Sequence, residues 1–257
     1  MERCDFLPVS AEEMHERGWW WYDALVVGGD AYVDHPSFGT AVISRVLEAE
    51  GLRVAVLAQP DWHDAEAFRA MGRPRLGVFI GAGNLDSMVA HYTAAKRRRS
   101  EDFYSPGKRT GCRPDRAAIV YCNRAREAFG PDMPIILGSL EASLRRFAHY
   151  DYWDDSVRRA ILFDAPADLL VYGMGEAATI EIAHRLKKKQ SVRTMTDIPG
   201  TGYITRDPSV CKFDHITLPS FEDVRDDKRL YAEATRTEYA EHDPIRGRAM
   251  IQPCEGR

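Results

Sequence analysis

The strongest constraint in this chain is a strand that ends in glycines and runs into a helix. Asp23-Ala-Leu-Val-Val-Gly-Gly-Asp30 is a short apolar run closed by turn residues. That is the pattern of a strand buried on both faces of a parallel sheet. A loop, Ala31 to Gly39, leads to a predicted helix over 40–50, with Val42, Val46 and Leu47 on one face and Gly51 as its stop. Arg53 to Ala58 reads as the next strand, so the first 58 residues form a βαβ unit.

The alternation continues. Strands are predicted at 75–82, 133–138 and 168–173, and helices at 64–71, near 84–87, at 117–129 and at 176–189. Strands alternating with helices specify an α/β fold: a doubly wound, mostly parallel, Rossmann-like sheet. Residues 1–190 are assigned to this domain. Residues 191–257 are read as a linker or extension: a small β excursion over 192–206, one charged helix over 220–241 with capping potential at Ser220 and Asp223, and a tail without a terminating element.

Composition narrows the function classes. The net charge of −4 gives no global bias toward nucleic acid or an anionic membrane. No apolar run has the length of a membrane span, and Met1 to Arg17 lacks the apolar segment of a signal peptide. A cytoplasmic location is expected. The five cysteines, Cys4, Cys112, Cys122, Cys211 and Cys254, are scattered, with no CxxC pair. This argues against a disulfide framework, no local metal or cluster motif is visible, and Cys122 reads as a core residue.

In open α/β sheets, ligands sit beyond the carboxyl ends of the strands, so the candidate cofactor-binding residues are those placed there. They are Asp30, His35, Gly39, Gly138, Gly173, Gly175 and Glu176. Each has a plainer reading: a tight βα turn for the glycines, a loop hydrogen bond for Asp34-His35, and helix-dipole compensation for Glu176. Arg145 and Arg146 can hold a carboxylate or phosphate, or be solvated. The aromatic group Phe147, His149, Tyr150, Tyr152 and Trp153 can cover a flat cofactor, or pack at the edge of the core. Asp61-Trp-His-Asp64 has metal-like residue types at a spacing typical of a loop cap. Between His91 and Arg116 the pattern breaks into a long loop with eight Lys/Arg and three Asp/Glu. It is either a nucleic-acid contact or a solvated or docking loop.

Several strings together resemble the YgiQ family of radical SAM proteins. They include Gly29-Asp-Ala-Tyr-Val-Asp-His-Pro-Ser-Phe-Gly39, Ala82-Gly-Asn-Leu-Asp-Ser-Met-Val89, Arg113-Pro-Asp-Arg116, Glu141-Ala-Ser-Leu-Arg-Arg-Phe-Ala-His-Tyr-Asp-Tyr-Trp153, Leu170-Val-Tyr-Gly-Met-Gly-Glu176 and Asp243-Pro-Ile-Arg-Gly247. Gly138-Ser139 and Gly173-Met-Gly-Glu176 also resemble the cofactor edge of cobalamin-binding-like Rossmann domains. The Asp-x-His-x-x-Gly signature of axial-histidine cobalamin domains is absent, and Ser139 stands where the second glycine of a pair would be.

The resemblance implies the N-terminal accessory domain of an iron–sulfur enzyme that cleaves SAM reductively to a 5′-deoxyadenosyl radical. The implied cofactors of the full-length family are a [4Fe–4S] cluster and SAM, and the implied partner is a C-terminal radical SAM barrel. The CxxxCxxC triad for that cluster does not occur in these residues, so the chain is expected to be a fragment that is silent alone. Two rivals remain: a stand-alone cobalamin- or nucleotide-binding module, and a nucleic-acid-associated protein using the basic loop. The negative net charge weighs against the second.

Overall fold

Side chains alternate along each strand, and this alternation builds two cores. The computed structural model describes residues 6–243 and 245–255. Its strands are β1 (Ala24–Gly28), β2 (Val54–Ala58), β3 (Gly77–Gly81), β4 (Ile135–Leu137), β5 (His149–Asp151), β6 (Ser156–Arg158), β7 (Leu169–Val171), β8 (Thr201–Gly202), β9 (His215–Thr217) and β10 (Ala249–Ile251). Its α-helices are α1 (Ala11–Glu16), α2 (Gly39–Ala49), α3 (Glu66–Arg69), α4 (Ser87–His91), α5 (Ala117–Phe129), α6 (Ser139–Leu144), α7 (Glu176–Lys187), α8 (Phe221–Asp226) and α9 (Lys228–Ala240).

The main sheet runs β2-β1-β3-β4-β7-β8, parallel except for the antiparallel edge strand β8. This is the doubly wound α/β class expected from the alternation. Leu25, Val27, Val78, Ile80, Ile135 and Leu137 face a core closed by Phe68 of α3 and by Ala118, Tyr121 and Cys122 of α5. Ala24, Val26, Val54, Phe79, Ile136 and Leu169 face the other core, closed by Leu47 of α2 and by Ile182 and Leu186 of α7. Successive residues of a strand point to opposite faces, so continuous apolar runs serve both cores at once.

The sheet continues past residue 190. Val192, Met195 and Ile198 join the second core, and β8 pairs with β7. The single helix expected over 220–241 is two. Asp227 is extended (φ −128°, ψ 113°), and its carboxylate accepts the Arg229 N–H at 2.7 Å, ending α8 and capping α9. Ser220 and Asp223 form the capping box that their spacing suggested. The tail does contain a regular element. β10 lies parallel to β9, and α8 and α9 make the crossover between them. The helix expected over 64–71 shortens to α3.

A small third cluster, Ala148, Val224 and Ala234 with Leu230 and Tyr231 against it, seats α8 and α9 near the antiparallel β5–β6 hairpin. Two cross-links reinforce the seat: Ala148 N–H donates to Gln252 Oε1 at 2.7 Å, and Tyr150 N–H donates to the Tyr231 hydroxyl at 3.0 Å. Part of this hairpin is the aromatic group noted in the sequence. Trp153 packs on Tyr92, and the Tyr152 hydroxyl donates to Ala94 O at 2.5 Å. Cys4 and Pro244 lie outside the described residues.

Candidate functional site

The strand order 2-1-3-4 changes direction between β1 and β3, and ligands of open α/β sheets bind at such a switch point. In this chain that crevice is full. Gly29 is crowded there: a Cβ would lie 1.9 Å from the carbonyl oxygen of Ala82. Arg113 reaches in from the basic loop with its side chain fully buried. It donates to Asp30 at 2.7 Å and to Asp102 through both Nε and Nη2, the shortest at 2.9 Å. Asn84 N–H takes the second Asp30 oxygen at 2.7 Å. The loop is fastened further by Ala31 N–H to Tyr104 O and by Gln59 Nε2, which bridges Gly29 O and the Ser105 hydroxyl. Burial drives the Asp30 carboxyl upward in pKa, and Arg113 and the Asn84 N–H oppose that rise.

The rest of the basic loop is also spoken for. Arg116 pairs with Asp151 and Asp154, Arg99 donates to the Val89 and Tyr92 carbonyls, and Lys96 donates to Trp153 O. Only Arg113 of the loop's cations is buried; Lys96, Arg99 and Arg116 fasten the loop to the fold from its surface.

The seven candidate residues separate into two groups. Asp30, His35 and Gly39 lie at the end of β1, whereas Gly138, Gly173, Gly175 and Glu176 lie at the ends of β4 and β7. Three strand spacings, roughly 14 Å, separate β1 from β7 in the sheet order. Asp34 and His35 do not pair. Asp34 holds Arg45, and His35 Nδ1 accepts the Ser37 N–H at 3.1 Å. Gly39 opens α2 and donates weakly to Asn84 Oδ1 at 3.4 Å.

The β4/β7 side is different. A Cβ on Gly138 would meet only two carbonyl oxygens, at 3.8 and 4.0 Å, and one on Gly173 would meet nothing within 4 Å. Gly175 is required for packing, because its Cβ would press on Val171 Cγ1 at 2.7 Å. Glu176 is the first residue of α7, where a carboxylate favours the helix dipole. Three apolar side chains stand out around this open edge: Met174 is 92% exposed, Leu144 60% and Leu140 39%. Leu140 and Leu144 are one helical turn apart on α6. The Gly173 N–H donates to Ser143 Oγ at 3.1 Å, which joins α6 to the β7 turn.

Arg145 and Arg146 are both engaged within the fold. Arg145 pairs with Asp86 and approaches Glu141 at 3.8 Å. Glu141 is itself buried and accepts the Ser87 N–H at 2.7 Å and the Ala118 N–H at 3.2 Å. Arg145 and Glu141 line a small cavity of about 10 Å³ with His149 and Asp151, room for one water. Burial there lowers the His149 pKa to about 4. Arg146 lies over Tyr172, contacts His242 and approaches Glu238 at 3.9 Å. Sequence reasoning missed Arg113, Asp102 and Glu141 as the polar keys of this edge. Asp61 and His63 form the exposed loop cap expected of them, at 2.6 Å.

A family model described as "Radical SAM N-terminal" matches residues 6–257. The chain belongs to the Radical SAM N-terminal family. A UPF0313 protein of Clostridium botulinum (strain 657 / Type Ba4) is 54% identical over 257 residues, all of this chain and 40% of the relative. A UPF0313 protein of Clostridium perfringens (strain SM101 / Type A) is 51% identical over all of this chain and 39% of the relative. The chain thus spans about 40% of the length of these curated relatives. Among solved structures, TsrM, a radical S-adenosylmethionine methyltransferase from Kitasatospora setae with cobalamin and a [4Fe-4S] cluster bound, is similar. Its TM-score is 0.45 at 19% identity, covering 71% of this chain and 29% of that one.

The residues of this Radical SAM N-terminal chain do not fit an iron–sulfur cluster. Cys122 is enclosed in the core on α5, Cys254 is buried, and Cys112 and Cys211 lie in separate loops. No three metal-ligating side chains converge among the described residues. A corrinoid or nucleotide does not fit the β1/β3 crevice, which Arg113 fills. Among the described residues, no helix is long and apolar enough to cross a membrane.

Proposed function

We propose that the chain is the non-catalytic N-terminal domain of a longer, cytoplasmic radical SAM iron–sulfur protein. Its cluster and SAM are held by residues outside these 257. The catalytic portion packs on the open β4/β7 half of the carboxyl edge. The observation that carries this reading is the exposed group Leu140, Leu144 and Met174 around the uncovered glycines Gly138 and Gly173. Large apolar side chains clustered at a sheet's ligand edge mark a surface that another body covers. When bound elsewhere in the protein, the cluster supplies reductive cleavage of SAM. The residues described above then shape one wall of the substrate space.

The test has two arms. The isolated chain, incubated anaerobically with SAM and dithionite, should release no 5′-deoxyadenosine, whereas a full-length UPF0313 relative with reconstituted cluster should. Release by the isolated chain would overturn the assignment. In the full-length relative, aspartate at the positions of Leu144 and Met174 should split a single unfolding transition into two; an unchanged transition would remove the docking claim.

A second reading has its own observation. The space over Gly138 and Gly173 suits a flat ligand, a corrinoid or a nucleotide, lying on the β4/β7 edge. A cobalamin titration of the isolated chain that shifts the corrin spectrum, and loses the shift in Gly173→Leu, would favour it over plain domain docking.

A further inference from the structure

At the opposite end of the sheet, the segment before β1 carries three consecutive tryptophans, Trp19, Trp20 and Trp21. The arginines that precede β2 and β3, Arg53 and Arg75, both stack on Trp21. Their guanidinium carbons lie 3.9 and 3.5 Å from its ring centroid. Two guanidiniums that close to one centroid cannot share a face without overlapping, so they occupy opposite faces of the indole. That sets the two cations roughly 7 Å apart. Arg53 also approaches Trp19 at 5.7 Å, and Arg17 lies 5.5 Å from the same ring.

Stacking uses the flat faces of a guanidinium and leaves its in-plane N–H donors for other partners. Among the described residues, neither the Arg53 nor the Arg75 guanidinium has a hydrogen bond or ion pair. The Asp23 carboxylate beside them accepts the backbone N–H of Arg53 at 2.9 Å, not its side chain. Most arginines of this chain pair with carboxylates or cap carbonyls, as Arg113, Arg116, Arg126 and Arg158 do. Arg53 and Arg75 are instead pinned by an aromatic ring. Between Trp19 and Trp21 in sequence, Trp20 is 78% exposed, with His15 against its ring at 4.5 Å.

We propose that this arginine–tryptophan stack binds single-stranded nucleic acid. Arg53 and Arg75 contact successive phosphates, and Trp20 offers a stacking surface to a base. The separation of the two cations is comparable with the step from one phosphate to the next along an extended strand. Pinned planar forks suit bidentate phosphate contacts, and alternating aromatic and arginine surfaces suit bases and backbone together. This surface lies at the amino ends of β1, β2 and β3, away from the carboxyl edge, so it stands independently of the domain assignment above. It also differs from the basic loop, where Lys96, Arg99, Arg113 and Arg116 hold partners within the fold.

The test is fluorescence anisotropy of a labelled oligouridine RNA with the 257-residue chain, from about 20 to about 200 mM salt. Binding at low salt is expected. Arg53→Gln/Arg75→Gln should weaken it roughly tenfold and reduce the slope of log K against log salt by about 1.4, the value for two phosphate contacts on a single strand. Trp20→Ala should weaken binding without changing that slope, and Arg97→Gln/Arg98→Gln in the basic loop should leave it unchanged. Circular dichroism checks the fold of each variant, and Arg75→Gln alone, at an exposed position, replaces the double variant should that fail to fold. No anisotropy change with the unmodified chain at the lowest salt, or arginine variants that bind as it does, would overturn the proposal.

Discussion

The two halves of the sheet's carboxyl edge have been used in opposite ways. At β1/β3 the chain supplies its own occupant, the guanidinium of Arg113 between two buried carboxylates, with Gly29 pressed on Ala82. At β4/β7 the glycines face open space and are ringed by exposed Leu144 and Met174. The same topology therefore carries one half filled by the chain's own side chains and one half that is open. A glycine at a strand end thus means close internal packing at residue 29 and accessible space at residues 138 and 173.

Removing the plug gives the largest expected effect. Arg113→Met leaves Asp30 and Asp102 buried without their cation and should cost about 3–5 kcal/mol in denaturant unfolding. The loss should also depend on pH with a definite sign. Asp30 already has its pKa raised by burial, against the influence of Arg113. Without that cation the folded chain holds the Asp30 proton to higher pH than the unfolded chain does. The variant should regain stability on acidification and lose it as pH rises through the folded value. A variant as stable as the parent at neutral pH would show that the crevice is not sealed by charge.

The glycines give the next contrast. Gly29→Ala must move a backbone carbonyl and should cost about 3 kcal/mol. Gly138→Ala, extended and with its nearest neighbour at 3.8 Å, should stay within about 0.5 kcal/mol. Equal effects would erase the distinction between the halves.

Glu238 gives a smaller effect. Burial pushes its pKa up to about 7 against the attraction of Arg146. A carboxyl whose folded pKa is raised binds more protons folded than unfolded, so stability falls as pH rises through 7. Glu238→Gln should therefore gain about 1–2 kcal/mol at pH 8, less at pH 5.5, and nothing at pH 4, below the unfolded value, by thermal or denaturant unfolding. Least of all, Leu144→Asp with Met174→Asp in the isolated chain should change stability by less than about 0.5 kcal/mol, because both side chains stand in solvent. A large loss would mean that the open half is already covered.

Much of this was legible in the sequence, for a physical reason. Runs such as Ala24 to Val27 are apolar at every position because both faces of β1 are buried, and their glycine ends locate the carboxyl edge without reference to tertiary structure. The division of that edge was not legible. Arg113 sits in a stretch of eight basic residues, and nothing local separates it from its solvated neighbours. Its partner Asp30 is 83 residues away, so only the folded chain shows the pair. The break at Asp227 was hidden because the charged, amphipathic pattern continues across it. Strands β9 and β10 were hidden because three residues are too few to display a period.

The seat of α8 and α9 has a consequence for how the molecule opens. Three buried side chains, Ala148, Val224 and Ala234, form the cluster beneath them, whereas each face of the main sheet buries many more. The β9–α8–α9–β10 unit is thus a separate cooperative segment with a shallower free-energy well. In heavy water, amide protons along β10 and α9 should exchange together through one subglobal opening, while those of β1 and β3 wait for the whole chain to unfold.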